Sequence, residues 1–205
     1  MSFFLQTLSE IFKAFVLFVK GDEKANEHVQ ISEAHWLLSW LMVIGGVFIY
    51  MGFLPSAFMS ELAQEILPEN TSYSDFKSSN LLSLVFVFLV GYLIVYLFAK
   101  PLEYEGSVRR YIITQNWIFL ISISLLFPIS LSIVSGDSPL VSLFIFIFLF
   151  LLFFAYRTMK ITLGINGVKA FMLLLVLVVF ELTTDNMIDD WYGLTKDIEP
   201  NTPPS

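Results

Sequence analysis

The chain has 205 residues, 57% of them hydrophobic and only 14% charged, with no cysteine and a formal net charge of −7. Its mean hydropathy of +0.77 lies far outside the range of soluble globular domains and marks an integral membrane protein. The acidic balance argues against nucleic acid as a partner, and the missing cysteines exclude disulfides, thiolate metal sites and cysteine nucleophiles. Apolar runs approach the roughly 20 residues that a helix needs to cross a hydrocarbon core, and strict two-residue alternation is absent. The fold class expected is therefore all-α, a polytopic transmembrane bundle.

Residues 2–20 sort on a helical wheel into an apolar side with Phe4, Leu5, Leu8, Ile11, Phe12, Phe15 and Phe18, and a polar side with Gln6, Ser9, Glu10, Lys13 and Lys20. This pattern predicts an amino-terminal amphipathic helix, seated either on lipid or on the protein's own bundle. Glu10 and Lys13 interrupt the run and argue against a signal peptide. Ser32 before Glu33 reads as a helix cap. The first span follows at 36–54, with Trp36 and Trp40 at the interface and Gly45 and Gly52 seven residues apart on one face, as a close helix contact requires.

After Pro55, the spacing of Phe58, Leu62 and Ile66 predicts a short surface helix. Residues 69–79 read as a polar loop, and the second span covers 81–99. The third, 112–135, is the most polar of the five. It carries Asn116, Ser122, Ser124 and Ser130 and is interrupted by Pro128, which predicts a kink. The fourth, 140–156, is apolar on every side and is expected to be the most lipid-exposed. The fifth, 168–182, is short, and residues 183–205 read as an acidic, Pro-rich outer tail beyond a single membrane domain at 1–182.

Basic residues divide sharply between the two sides of these five spans. Lys13, Lys20, Lys24, Lys100, Arg109, Arg110, Arg157, Lys160 and Lys169 fall on one side, against Lys77 and Lys196 on the other. The positive-inside rule then puts the amino terminus in the cytoplasm and the carboxyl terminus outside, in a multi-pass protein of the cell (inner) membrane.

Candidate functional residues fall into two sets. Asn116, Ser122, Ser130, Pro128, Gly45 and Gly52 are candidates for helix packing or for lining a path, because an amide or hydroxyl in hydrocarbon seeks a partner on another helix. Arg109, Arg110, Arg157 and Lys160 are candidates for holding lipid headgroups. His28, Glu33 and His35 have no spacing that suits a metal site, and Glu181, Asp185, Asp189 and Asp190 read as a solvated acidic end. No Walker, GxSxG or HExxH motif occurs. No catalytic residue, metal or cofactor is expected, and the partners expected are membrane lipid and other membrane proteins or further copies of the chain.

The residues Ile31-Ser32-Glu33-Ala34-His35-Trp36, Tyr111 with Asn116-Trp117, Pro128, and Leu163-Gly164-Ile165-Asn166-Gly167-Val168-Lys169-Ala170 resemble five-span inner-membrane proteins of alphaproteobacteria. In layout the chain is similar to the Yip1 family. That resemblance implies a cytoplasmic amino terminus, five closely spaced spans and a far-side carboxyl terminus, and it supplies no catalytic residues. The function expected is a non-enzymatic, Yip1-like membrane-organising or assembly factor. The alternatives are a small transporter or channel subunit with the third span lining the path, and an accessory subunit of a larger membrane complex.

Overall fold

A computed structural model describes residues 3–59, 67–99, 105–134 and 139–195. Among the described residues the structure is helical throughout: α1 (Phe3–Lys20), α2 (Ala25–His28), α3 (Glu33–Phe58), α4 (Tyr73–Ala99), α5 (Glu105–Val134), α6 (Pro139–Leu163) and α7 (Gly167–Trp191). Four of these are long and apolar enough to cross a membrane: α3, α4, α6 over Ser142–Leu163, and α7. α5 has 30 residues but is not among the four, since its described part includes Arg109, Arg110, Thr114, Gln115 and Asn116.

Local chemistry sets the helix boundaries. Ser32 caps α3, its side chain accepting from the His35 amide, and Asn166 caps α7 by accepting from the Lys169 amide. Each satisfies one of the donors that a helix start leaves free. Ser72 caps α4 in both directions, accepting from the Asp75 amide at 3.1 Å and donating to the Asp75 carboxylate at 2.6 Å.

Several expected boundaries move outward. Residues 73–79 are not loop but the first turns of α4, which Ser72 initiates and Phe58 holds by packing on Phe76 with ring centroids 5.4 Å apart. α3 runs through Pro55 to Phe58, while most of the expected surface helix, residues 60–66, lies outside the described residues. α6 continues past 156 to Leu163. In this added stretch the buried Thr162 satisfies its hydroxyl within the helix, donating to the Thr158 carbonyl at 2.6 Å. α7 does not end near 182 but extends to Trp191, carrying Asp185, Asp189 and Asp190 into the helix.

α5 is the central element. Its most extensive contact is with α3, followed by that with α6, and it also touches α4; α7 packs mainly on α4 and then on α6. One core cluster joins Ile11, Ala14 and Phe18 of α1 to Ile113, Trp117 and Ile118 of α5 and Phe154 and Ile161 of α6. The other joins Val95 and Ala99 of α4, Val108 and Tyr111 of α5, Met159 and Leu163 of α6, and Ala170 and Leu173 of α7. Of residues 142–156 in the fourth expected span, eight are exposed and Phe154 alone is buried.

α1 lies across one end of this bundle. Near its start, Phe3 and Thr7 meet His35 at the head of α3. Its far end reaches α6, where Phe15 and Phe18 pack on Phe154. The helix has three sides. Thr7, Ile11, Ala14 and Phe18 are buried, Gln6, Ser9, Lys13 and Lys20 are exposed and polar, and Leu5, Leu8, Phe12, Val16 and Val19 are exposed and apolar.

Candidate functional site

Three polar groupings interrupt the apolar surfaces, each at a different depth. The innermost is built on Asn116. α5 turns this residue away from all solvent, at 0% exposure. Its Oδ1 accepts from the Tyr92 hydroxyl of α4 at 2.5 Å, and its Nδ2 donates to Ser39 Oγ of α3 at 3.1 Å. Ser39 in turn donates to the Trp36 carbonyl at 2.8 Å, and Trp40 meets the Tyr92 ring edge-on. One amide thus ties three helices, and its donor and acceptor functions are both occupied.

The close approach of α3 to α5 is at Gly46. A Cβ there would come within 2.6 Å of the Phe119 ring, whereas Gly45 would make only a 4.0 Å contact with Leu120 and Gly52 faces open space. Gly45 and Gly52 were the glycines expected from their seven-residue spacing; Gly46 is the one that lets the ring in. Ser122 borders two hollows, a mainly apolar one beside α1 and a second that also holds polar groups. Pro128 and Ser130 lie within α5, and their side chains are outside the described residues.

The second grouping is a seam between α4 and α7. Ser79 donates to Asp189 at 2.5 Å and Ser83 donates to Asp185, so two residues four apart on one helix meet two residues four apart on the other. This places both pairs along a single contact line. Tyr50 of α3 closes the edge, donating to Asn80 at 2.7 Å. The seam borders a cavity of about 290 Å³ that Glu181 also lines. Glu181, Leu84, Val87 and Phe119 are shared with a larger neighbouring cavity of about 370 Å³, which reaches Tyr92, Tyr111 and Gln115. These carboxylates therefore do not form a freely solvated tail: Asp185 and Asp189 are half-buried and bonded across helices.

The third grouping is the basic end, where α1 and α2 meet the heads of α3 and α5 and the foot of α6. Arg109 pairs with Glu33 at 2.7 Å and lies over the Trp36 ring at 5.2 Å. Arg110 donates to the Val29 carbonyl at 3.4 Å. Asn26 donates to the Ile161 carbonyl at 2.9 Å, fastening α2 to α6. Arg157 lies over Phe153 at 5.2 Å and against the backbone of Gly21. Among the described residues no carboxylate pairs with Arg157, and its buried Nε has no hydrogen-bond partner. Lys160 is half-buried one turn further along α6.

His28, Glu33 and His35 do not converge. His28 bonds Glu10 at 2.7 Å, Glu33 pairs with Arg109, and His35 approaches Ser32 at 2.7 Å and Thr7 at 3.3 Å. Among the described residues no group of three His, Asp or Glu side chains is arranged to hold a metal ion. Glu10 is held below the usual carboxylate range by the hydrogen bond from Lys13 and then by that from His28.

Sequence reasoning picked out Asn116 but missed its partners Ser39 and Tyr92, and missed Ser79 and Ser83 altogether. The usable signal for the seam was the shared four-residue spacing of Ser79 and Ser83 with Asp185 and Asp189. Among the described residues these features define an all-helical protein with four helices that by length and composition are able to cross a membrane. No family model, curated protein or solved structure matches the chain.

Proposed function

We propose that the chain is a non-enzymatic inner-membrane protein in which α3 to α7 make five spans and α1 lies in the headgroup plane. On this reading it is a Yip1-like membrane-organising or assembly factor that works through helix packing and through contacts with lipid and with other membrane proteins or further copies. The observation that carries it is the use made of Asn116. The most polar residue deep in the bundle spends its hydrogen bonds on two neighbouring helices, as adhesion between spans requires.

α5 counts as a span on this reading because apolar helices surround it and can shield its polar groups from lipid. The three sides of α1 support its interfacial placement: one meets the bundle, one meets lipid and one meets water. The basic end faces the cytoplasm, and the carboxyl terminus lies outside. Purification from the native membrane in lipid nanodiscs is expected to return a reproducible protein or lipid companion; a lone, lipid-free monomer overturns the assembly role. A reporter joined after Ser205 is expected to be active only outside the cytoplasm, and cytoplasmic activity overturns the orientation.

The seam between α4 and α7 favours one alternative, a small transporter or channel subunit. Its polar cavity with Glu181, Asp185 and Asp189 would supply cation or proton sites, and the adjoining cavity would supply depth. This route runs along α4 and α7 instead of the third span. In vesicles, Asp185→Asn would abolish cation or proton flux while leaving abundance unchanged; vesicles of the unaltered protein that carry no flux exclude the alternative.

A further inference from the structure

At the basic end a groove opens between α1, α5 and α6. It has a volume of about 170 Å³, and its walls include Phe15 and Val19 of α1, Ile121 and Leu125 of α5, and Phe150 and Phe154 of α6. Phe150, Phe154 and Arg157 stand at i, i+4 and i+7, so the apolar wall and the guanidinium share one face of α6. From Phe150 to Arg157 the helix rises roughly 10 Å. Apart from Ser122 the groove is thus an apolar slot, with one cation displaced along its axis.

We infer that this groove seats an acyl chain of an anionic glycerophospholipid, whose phosphate rests on Arg157. The inference rests on the membrane reading given above and names one ligand for it.

Charge decides the site among the arginines. Arg109 is already neutralised by Glu33 and covered by Trp36, and Arg110 turns to a backbone carbonyl. Arg157 pairs with no carboxylate among the described residues; its buried Nε lacks an acceptor as that of Arg109 does, so the missing ion pair is what sets it apart from Arg109. Asp22, next to Gly21 in the chain, accepts from the Lys24 amide at 3.0 Å. A phosphate supplies an anionic partner and suits the planar guanidinium. Lys20, which closes α1 beside Gly21, and Lys160, one turn beyond Arg157, add attraction for an anionic headgroup.

Conformation keeps the pocket for Arg157 open. Gly21 adopts φ 76°, where a side chain is strained, and a Cβ there would lie 2.5 Å from the guanidinium. An acyl chain fits the rest, being apolar along its length and joined to an anion at one end. The exposed apolar side of α1, with Val16 and Val19 at the groove mouth, puts the entrance at the depth where glycerol backbones lie.

The full-length protein in mild detergent, titrated with phosphatidylglycerol or phosphatidylcholine and followed by native mass spectrometry, tests this. Phosphatidylglycerol is expected to bind about five- to tenfold more tightly, and Arg157→Gln to remove that preference while leaving phosphatidylcholine binding unchanged. Arg157→Lys should restore part of it. Lys169→Gln, an exposed cation at the same end, should leave the preference intact. Inorganic phosphate at millimolar concentration should not displace the lipid.

Equal binding of the two lipids by the unaltered protein overturns the site without any variant having to fold. So does an unchanged preference in a folded Arg157→Gln protein, loss of the preference in Lys169→Gln, or displacement by free phosphate. Release of the protein from membranes by an alkaline carbonate wash overturns instead the membrane reading on which the inference rests.

Discussion

The Asn116 knot and the α4–α7 seam are made of the same kind of bond, yet water has very different access to them. In the knot, Asn116 and Ser39 are both fully buried, and no solvent can replace a lost partner. In the seam, Ser79 and Ser83 are buried, but Asp185 and Asp189 are only half-buried and border a cavity, where water competes for the carboxylates. A hydrogen bond is worth most where its loss leaves a group with nowhere to turn. The knot is therefore expected to hold the bundle together, while the seam sets the chemistry of its surface.

The largest expected effect is on the knot. Asn116→Leu takes away both the acceptor of the Tyr92 hydroxyl and the donor to Ser39 and should cost about 2 kcal/mol, near the upper range for polar contacts between membrane helices. Tyr92→Phe should cost about 1 kcal/mol, because it leaves Asn116 Oδ1 without its donor. The double variant should fall short of the sum by about 1 kcal/mol, since both stranded partners are then gone. Reversible unfolding in mixed micelles measures all three, and strict additivity would show that the bond is not the coupling element.

The seam should respond less. Asp189→Asn retains an acceptor for Ser79 and a cavity for water, so a stability loss below about 0.5 kcal/mol is expected in the same assay. Loss comparable to that of Asn116→Leu would break the contrast and make the seam a second structural knot. Asp185→Asn should behave alike, because Ser83 stands to it as Ser79 stands to Asp189.

How much of this was legible in the chain follows the same division. Helical class and the approximate places of the helices come from apolar runs and caps, which are local. Asn116 was visible because an amide amid apolar residues is anomalous wherever it occurs. Its acceptor Ser39 was not, since the two are 77 positions apart and Ser39 sits among tryptophans that read simply as an interfacial belt. The end of α7 differs from the expectation for a physical reason: Asp185 and Asp189 look too costly for a bundle until their serine partners, 102 and 110 positions away, are in view. Gly46 was passed over for Gly45 and Gly52 because spacing reveals a shared face, not which residue a neighbouring ring will enter.

The contacts of Glu10 with Lys13 and His28 extend the series to the protein surface and should show the smallest effect. Both are 2.7 Å long, as short as those inside, but they lie at the polar edge of α1, where Lys13 is exposed and Glu10 and His28 are half-buried. Since the folded state holds the Glu10 carboxyl below its usual range, its contribution is fully present above the unfolded value of about 4.3 and is lost as pH falls through the lower folded value. A titration of stability from pH 6 to pH 3 should show a slight extra loss over the lower part of that window, absent in Glu10→Gln. Salt at 1 M should flatten the difference, because screening reaches an exposed pair and not a buried amide. If Glu10→Gln cost as much as Asn116→Leu at neutral pH, access to water would not be what ranks these three groupings.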